Sequence, residues 1–131
     1  MEVLKLEWLT TPGNPKYFLR FAETGAPGVA PYITQRIEGV EHFANGKATL
    51  SVWLSVASGT LVVTPKFVQS FGSGGSPSSD VITTNSTWTV TTTPTKFTTT
   101  FNVPSVSGKT IGSTAGSDYC AIKLDFPTGG A

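Results

Sequence analysis

KATLSVWLSVASGTLVVTPKFVQSFGSGG, running from Lys47 to Gly75, holds the clearest alternation, a tight turn and the most glycine-rich loop of the chain. Leu50, Val52, Leu54 and Val56 fall on one side and Thr49, Ser51, Trp53 and Ser55 on the other, the period-two pattern of a strand with one buried face. Ser58-Gly59 breaks the run, and a second strand carries Leu61, Val63, Phe67, Gln69 and Phe71 onward. Pro65 marks a bulge or an edge position within it, because proline has no N–H to give to a ladder. The stretch therefore predicts a β-hairpin opening onto a glycine loop. Its apolar face is core, and its other face presents Trp53.

The same alternation recurs on both sides. Leu4, Leu6 and Trp8 alternate with Lys5 and Glu7, and Tyr17, Leu19 and Phe21 with Phe18 and Arg20. In the 32–38 segment Ile33 and Ile37 oppose Tyr32, Thr34, Arg36 and Glu38, while residues 39–46 have room for one helical turn before the Asn45-Gly46 turn signal. Short strands follow at 81–84 and from Trp88, then a β-branched run through Phe97, Phe101 and Val103 that stops at Pro104. In the last strand Cys120, Ile122, Leu124 and Phe126 share one face and Tyr119, Lys123 and Asp125 the other. Eight or nine short strands with regular turns and essentially no helix predict an all-β chain. The expected architecture is an antiparallel β-sandwich of jelly-roll topology, formed by residues 1–131 as a single domain. Its start almost inside a strand suggests a piece excised from a longer protein.

Composition narrows the function classes. Charged residues are 13% of the chain against about 25% in average globular proteins, and the net charge is +1. Without a basic stripe, neither nucleic acid nor an anionic membrane is an expected partner, and no apolar run is long enough to span a bilayer. A neutral, hydroxyl-rich surface suits sugars, and it suits structural virion or secreted proteins equally. The single cysteine, Cys120, excludes an intramolecular disulfide and reads as a small core hydrophobe.

Catalytic signatures are missing. His42 is the only histidine, no Gly-x-Ser-x-Gly elbow accompanies it, and the carboxylates are scattered, so no enzyme is expected. Asn85-Ser86-Thr87 matches a glycosylation sequon, meaningful only on a eukaryotic secretory route. No cofactor is expected. A structural Ca²⁺ tying the ends of the domain remains an alternative, since Glu2, Glu7, Asp118 and Asp125 lie near the termini.

Sugar recognition needs flat aromatic faces and planar polar groups. Trp53, on the polar side of its strand, is the leading stacking candidate, with Trp88 and Tyr119 beside loops as further ones. Gln35, Arg36 and Gln69 are the candidate polar partners. For Trp53 the competing reading is ordinary packing, and for Arg36 a surface ion pair with Glu38 or Glu41.

Four segments in order, 32–40 (YITQRIEGV), 48–56 (ATLSVWLSV), 69–78 (QSFGSGGSPS) and 103–112 (VPSVSGKTIG), resemble a β-sandwich domain of bacteriophage tail fibre and other virion proteins. The Leu-Ser-Val-Trp strand is also similar to jelly-roll carbohydrate-binding modules, whose later Trp-x-Lys-aromatic strand start is here Pro94-Thr95-Lys96-Phe97. The resemblance implies a non-catalytic virion module, located on the tail or fibre and extracellular when acting. It implies a homotrimer that contacts host-surface glycan or packs against other virion subunits. Gln35, Arg36, Trp53 and the loop from Gly72 to Ser78 carry over as its candidate binding residues. A structural assembly domain without a ligand is the alternative, and a carbohydrate-binding module of a secreted glycoside hydrolase a second.

Overall fold

The computed structural model describes residues 3–5, 20–22 and 30–127, and over these the chain is all-β with antiparallel sheets. The strands are β1 (Val3–Lys5), β2 (Arg20–Ala22), β3 (Tyr32–Glu38), β4 (Gly46–Val56), β5 (Leu61–Ser70), β6 (Val81–Thr84), β7 (Trp88–Val90), β8 (Thr95–Val103) and β9 (Tyr119–Asp125). One sheet has the order β2-β1-β4-β8 and the other β3-β9-β5-β6, with β7 also on β5. The parts of the first two expected strands around Leu6, Trp8, Tyr17 and Leu19 lie outside the described residues. Residues 40–45 form hydrogen-bonded turns rather than a helical turn.

The two halves of the central stretch do not form a hairpin. β4 pairs with β8, from Gly46↔Val103 to Leu54↔Thr95, whereas β5 pairs with β9, β6 and β7. The turn at 57–60 is where expected, with Gly59 at φ 67°, but it carries the chain from one sheet to the other. The reason lies in the apolar faces. Leu54 and Val56 of β4 join Leu61 and Val63 of β5 in one buried cluster, so the two strands face one another across the core instead of lying side by side. Val90, Leu124 and Phe126 complete that cluster, and Ala48, Phe67, Phe101, Val103 and Cys120 form a second. Both clusters draw on both sheets, the filling expected between two packed layers. Burial pushes the Cys120 thiol above its ordinary pKa, consistent with a core position.

Pro65 sits at a bulge. β6 runs along β5 from Lys66↔Thr84 to Gln69↔Val81, and β7 continues along the same edge from Leu61↔Val90 to Val63↔Trp88. The register changes between the two segments by one residue, opposite Pro65, where no donor is available to the ladder. Asn85 occupies the gap. Its N–H donates to the Pro65 carbonyl at 3.1 Å, and its side-chain Nδ2 crosses to the other sheet, donating to Thr99 Oγ1 at 2.8 Å and to the Thr100 carbonyl at 2.9 Å. The amide nitrogen that a glycan would occupy in the sequon is therefore engaged in joining the edges of the two sheets.

Beyond β5 the glycine loop is zipped to the loop before β9. Gly112 N–H donates to the Phe71 carbonyl at 2.7 Å, Ser113 to Gly74 at 3.0 Å, Thr114 to Ser73 at 3.0 Å, and Ser78 to Thr110 at 2.9 Å. A Cβ on Gly112 would lie 2.3 Å from the Ser73 carbonyl oxygen, so this glycine permits close approach of two backbones, whereas one on Gly74 would lie 2.6 Å from the Ser113 side-chain Oγ.

The Asn85 latch makes a direct test. Asn85→Ala loses about 1–3 kcal/mol in urea unfolding, and Asn85→Asp loses at least as much, because a carboxylate would face the Thr100 carbonyl without a proton to give. Wild-type stability in both variants would show that the latch contributes nothing.

Candidate functional site

Strand parity sorts the side chains onto faces, and β9 sets the parity for its whole sheet. Across β3, Tyr32 lies opposite Asp125, Thr34 opposite Lys123 and Arg36 opposite Ala121; across β5, Lys66 lies opposite Lys123, Val68 opposite Ala121 and Ser70 opposite Tyr119. Cys120 and Leu124 turn into the core, so all the residues just named share the outer face.

That face is concave. Ala121 and Val68 are buried although they point outward, and they floor a groove of about 150 Å³ whose rim includes Tyr32, Arg36, Tyr119, Lys123, Asp80 and Ile82. A second depression of about 540 Å³ continues beyond Arg36 and Tyr119 toward Glu38, Gly116, Ser117 and Asp118. The small floor and tall rim follow from residue size: Ala121 between Tyr119 and Lys123 on one strand leaves a hollow that its neighbours overhang. Tyr32 and Ile82 remain 52% and 53% exposed at the rim.

Two cation–aromatic pairs brace the groove. The Arg36 guanidinium lies 4.2 Å from the centre of the Tyr119 ring, and Lys123 Nζ lies 4.3 Å from that of Tyr32. Such contacts contribute about 0.5–1 kcal/mol at exposed sites and hold both partners in place. Lys66 and Lys123 are directly opposed like charges, and Asp125 resolves the conflict by meeting Lys66 at 2.5 Å and Lys123 at 3.3 Å. Burial alone would raise the Asp125 pKa, but hydrogen bonds from Lys66 and Lys123 and their charges outweigh it and hold the carboxyl below its ordinary value. Among the described residues Arg36 forms no ion pair, so neither of its expected carboxylate partners, Glu38 or Glu41, engages it.

The sequence candidates are divided by this geometry. Arg36 and Tyr119 meet in the groove. Gln69 does not: it is 1% exposed, turned into the core, and its Nε2 donates to the Pro104 carbonyl at 3.0 Å, so it braces the end of β8 rather than a surface. Gln35 is exposed but occupies an inward-phase position of β3, opposite Ile122, off the groove face. Trp88 is half-buried, stacked on Phe97 at 5.2 Å and packed against the first core cluster, the sheet-plug role. Trp53 is half-buried on the outer face of the other sheet, opposite Lys96 and in line with the hydroxyl pairs Thr49–Thr100 and Ser51–Thr98, each at 3.0 Å. With packed sheets ~10 Å apart, Trp53 and Arg36 look outward from opposite sides and cannot share a ligand.

For the suggested Ca²⁺, Asp118 and Asp125 stand at opposite ends of β9, ~20 Å apart at the rise of a strand, and Glu2 and Glu7 lie outside the described residues. Asp118 accepts the Val40 N–H at 2.8 Å and Asp125 holds two lysines, so these carboxylates cannot join in one site. Tyr32, Lys123, Asp80 and the Ala121–Val68 floor were not among the sequence candidates. The alternation already put Tyr32 with Arg36 and Lys123 with Tyr119, but the pairing of β3 with β9 that unites them is remote in sequence. Comparison with family models, curated proteins and solved structures found no match.

Asp125 supplies the electrostatic test. Its folded pKa is lowered, so its contribution is fully present above the unfolded carboxyl pKa and is lost as pH falls through the folded value. Asp125→Asn is expected to lose about 0.5–1 kcal/mol near pH 7 and to show a correspondingly flatter decline toward about pH 3, read by urea unfolding. A decline as steep as wild type would place the acid sensitivity elsewhere.

Proposed function

We propose that this chain is a non-catalytic attachment module that takes host-surface carbohydrate on the outer face of the β3-β9-β5-β6 sheet. The carrying observation is the braced groove: two tyrosines at its rim, an apolar floor of Ala121 and Val68, and planar or charged donors and acceptors in Arg36, Lys123 and Asp80. Sugar rings present C–H faces and hydroxyls together, and this mixture of aromatic edge, small floor and polar rim answers both.

Jelly-roll topology is part of the proposal. It is supported by strand orders in which most neighbours are remote in sequence, and by a chain that passes from sheet to sheet between β2 and β3, β3 and β4, β4 and β5, β7 and β8, and β8 and β9. The resemblance to virion β-sandwich domains supports a place on a tail fibre, as a trimer. A ligand-free assembly role draws its support from the exposed Ile82, Val62 and Tyr32 on this same sheet, which a neighbouring subunit would cover.

A glycan array followed by titration separates the readings. Wild type binds, Tyr119→Ala weakens binding about tenfold or more, and Trp53→Ala leaves it within about threefold. No binding to any glycan, together with self-association that rises with concentration in light scattering, would replace the attachment reading by the assembly one.

A further inference from the structure

We infer that Arg36 is the acid-reading residue of the groove, so that the carbohydrate it takes carries an isolated uronic acid among neutral sugars. The inference deepens the carbohydrate reading and rests on it.

Lys66 and Lys123 are both bonded to Asp125, which shares its single charge between them. Arg36 is exposed and has no ion-pair partner among the described residues, yet its guanidinium is seated over the Tyr119 ring, with Cζ 4.2 Å from the ring centre. It also lines both depressions, so a ligand extending along the face passes it whichever end it enters from. A stacked guanidinium keeps its edge N–H groups free in a fixed fork, the geometry that a carboxylate meets with two parallel hydrogen bonds.

The surrounding charges limit what that acid can be. Glu38 and Asp118 line the depression on one side of Arg36, and Asp80 stands on the rim on the other. Asp118 is occupied with the Val40 N–H, while Asp80 and Glu38 are suited to accept sugar hydroxyls. A polyanion would bring further negative charge against these carboxylates, and a phosphate would bring more charge than a carboxylate at the same point. One carboxylate with neutral sugars on both sides avoids both conflicts.

The test uses titration calorimetry with gellan oligosaccharides, in which one glucuronate stands among three neutral sugars per repeat, beside their carboxyl-reduced forms. Wild type is expected to bind the acidic forms at least about tenfold more tightly than the reduced ones. Arg36→Gln is expected to lose that preference, and Arg36→Lys to recover only part of it, because the charge returns without the planar fork. Chemical-shift perturbation of the Arg36 Nε–H and the Tyr119 ring by the acidic ligand, missing with the reduced one, reports the contact independently of affinity. Equal binding of both forms by wild type, or a full preference kept by Arg36→Gln, overturns the assignment of Arg36 and leaves the carbohydrate reading standing. Binding of neither form overturns the uronic-acid inference, while the carbohydrate reading stands or falls with the glycan array.

Discussion

The register between β5 and β9, from Thr64↔Asp125 to Ser70↔Tyr119, sets both the core and the outer face of their sheet. In this register Cys120, Ile122 and Leu124 face the core beside Gln69, Phe67 and Pro65, and Tyr119, Ala121, Lys123 and Asp125 face outward beside Ser70, Val68, Lys66 and Thr64. A slip of one residue would put Lys123 and Asp125 into the core and Leu124 into water, so the hydrophobic pattern locks the register. The same lock fixes the groove, because its floor and rim are the outward residues of these strands and their neighbour β3. Core and candidate site are two consequences of one alignment.

Specificity of the sandwich comes from polar contacts placed where the ladders are interrupted. Pro65 withholds an N–H, the β6–β7 edge bulges there, and Asn85 fills the gap while tying the edge to β8. Gln69 is the buried counterpart: its Nε2 and the Asn45 N–H both donate to the Pro104 carbonyl, which fastens β5 and the turn before β4 to the end of β8. At that end Gly39 and Val40 N–H both reach Asp118, and the glycine loop is sewn to residues 110–117. A loop rich in glycine is here a tightly bonded one, because its missing side chains let two backbones meet.

Much of the fold was legible in the chain because alternation is local. The faces of β3, β4, β5 and β9 can be assigned from their own residues, and Pro65 announces the bulge. What could not be read was pairing. Leu54, Val56, Leu61 and Val63 around Ser58-Gly59 suit a hairpin and a sheet-to-sheet crossing equally, since each buries the same apolar faces; only the long partnership of β4 with β8 decides between them. Site residues divided along the same line. Arg36 and Tyr119 are recognisable by type, but Tyr32 and Lys123 gain meaning only when β3 lies on β9, and Gln69, a surface donor by residue type, is a core residue because an apolar face can hide one amide that has a partner. Trp53, the most conspicuous aromatic in the sequence, stands on the opposite side from the groove.

Backbone amide chemical-shift mapping with a bound oligosaccharide tests the proposal that ligand occupies the outer face of the β3-β9-β5-β6 sheet. Binding there perturbs Tyr32, Thr34, Arg36, Tyr119, Ala121 and Lys123 and leaves Ser51, Trp53 and Thr98 unchanged. Perturbations centred on Ser51, Trp53 and Thr98, with the groove residues silent, would contradict it.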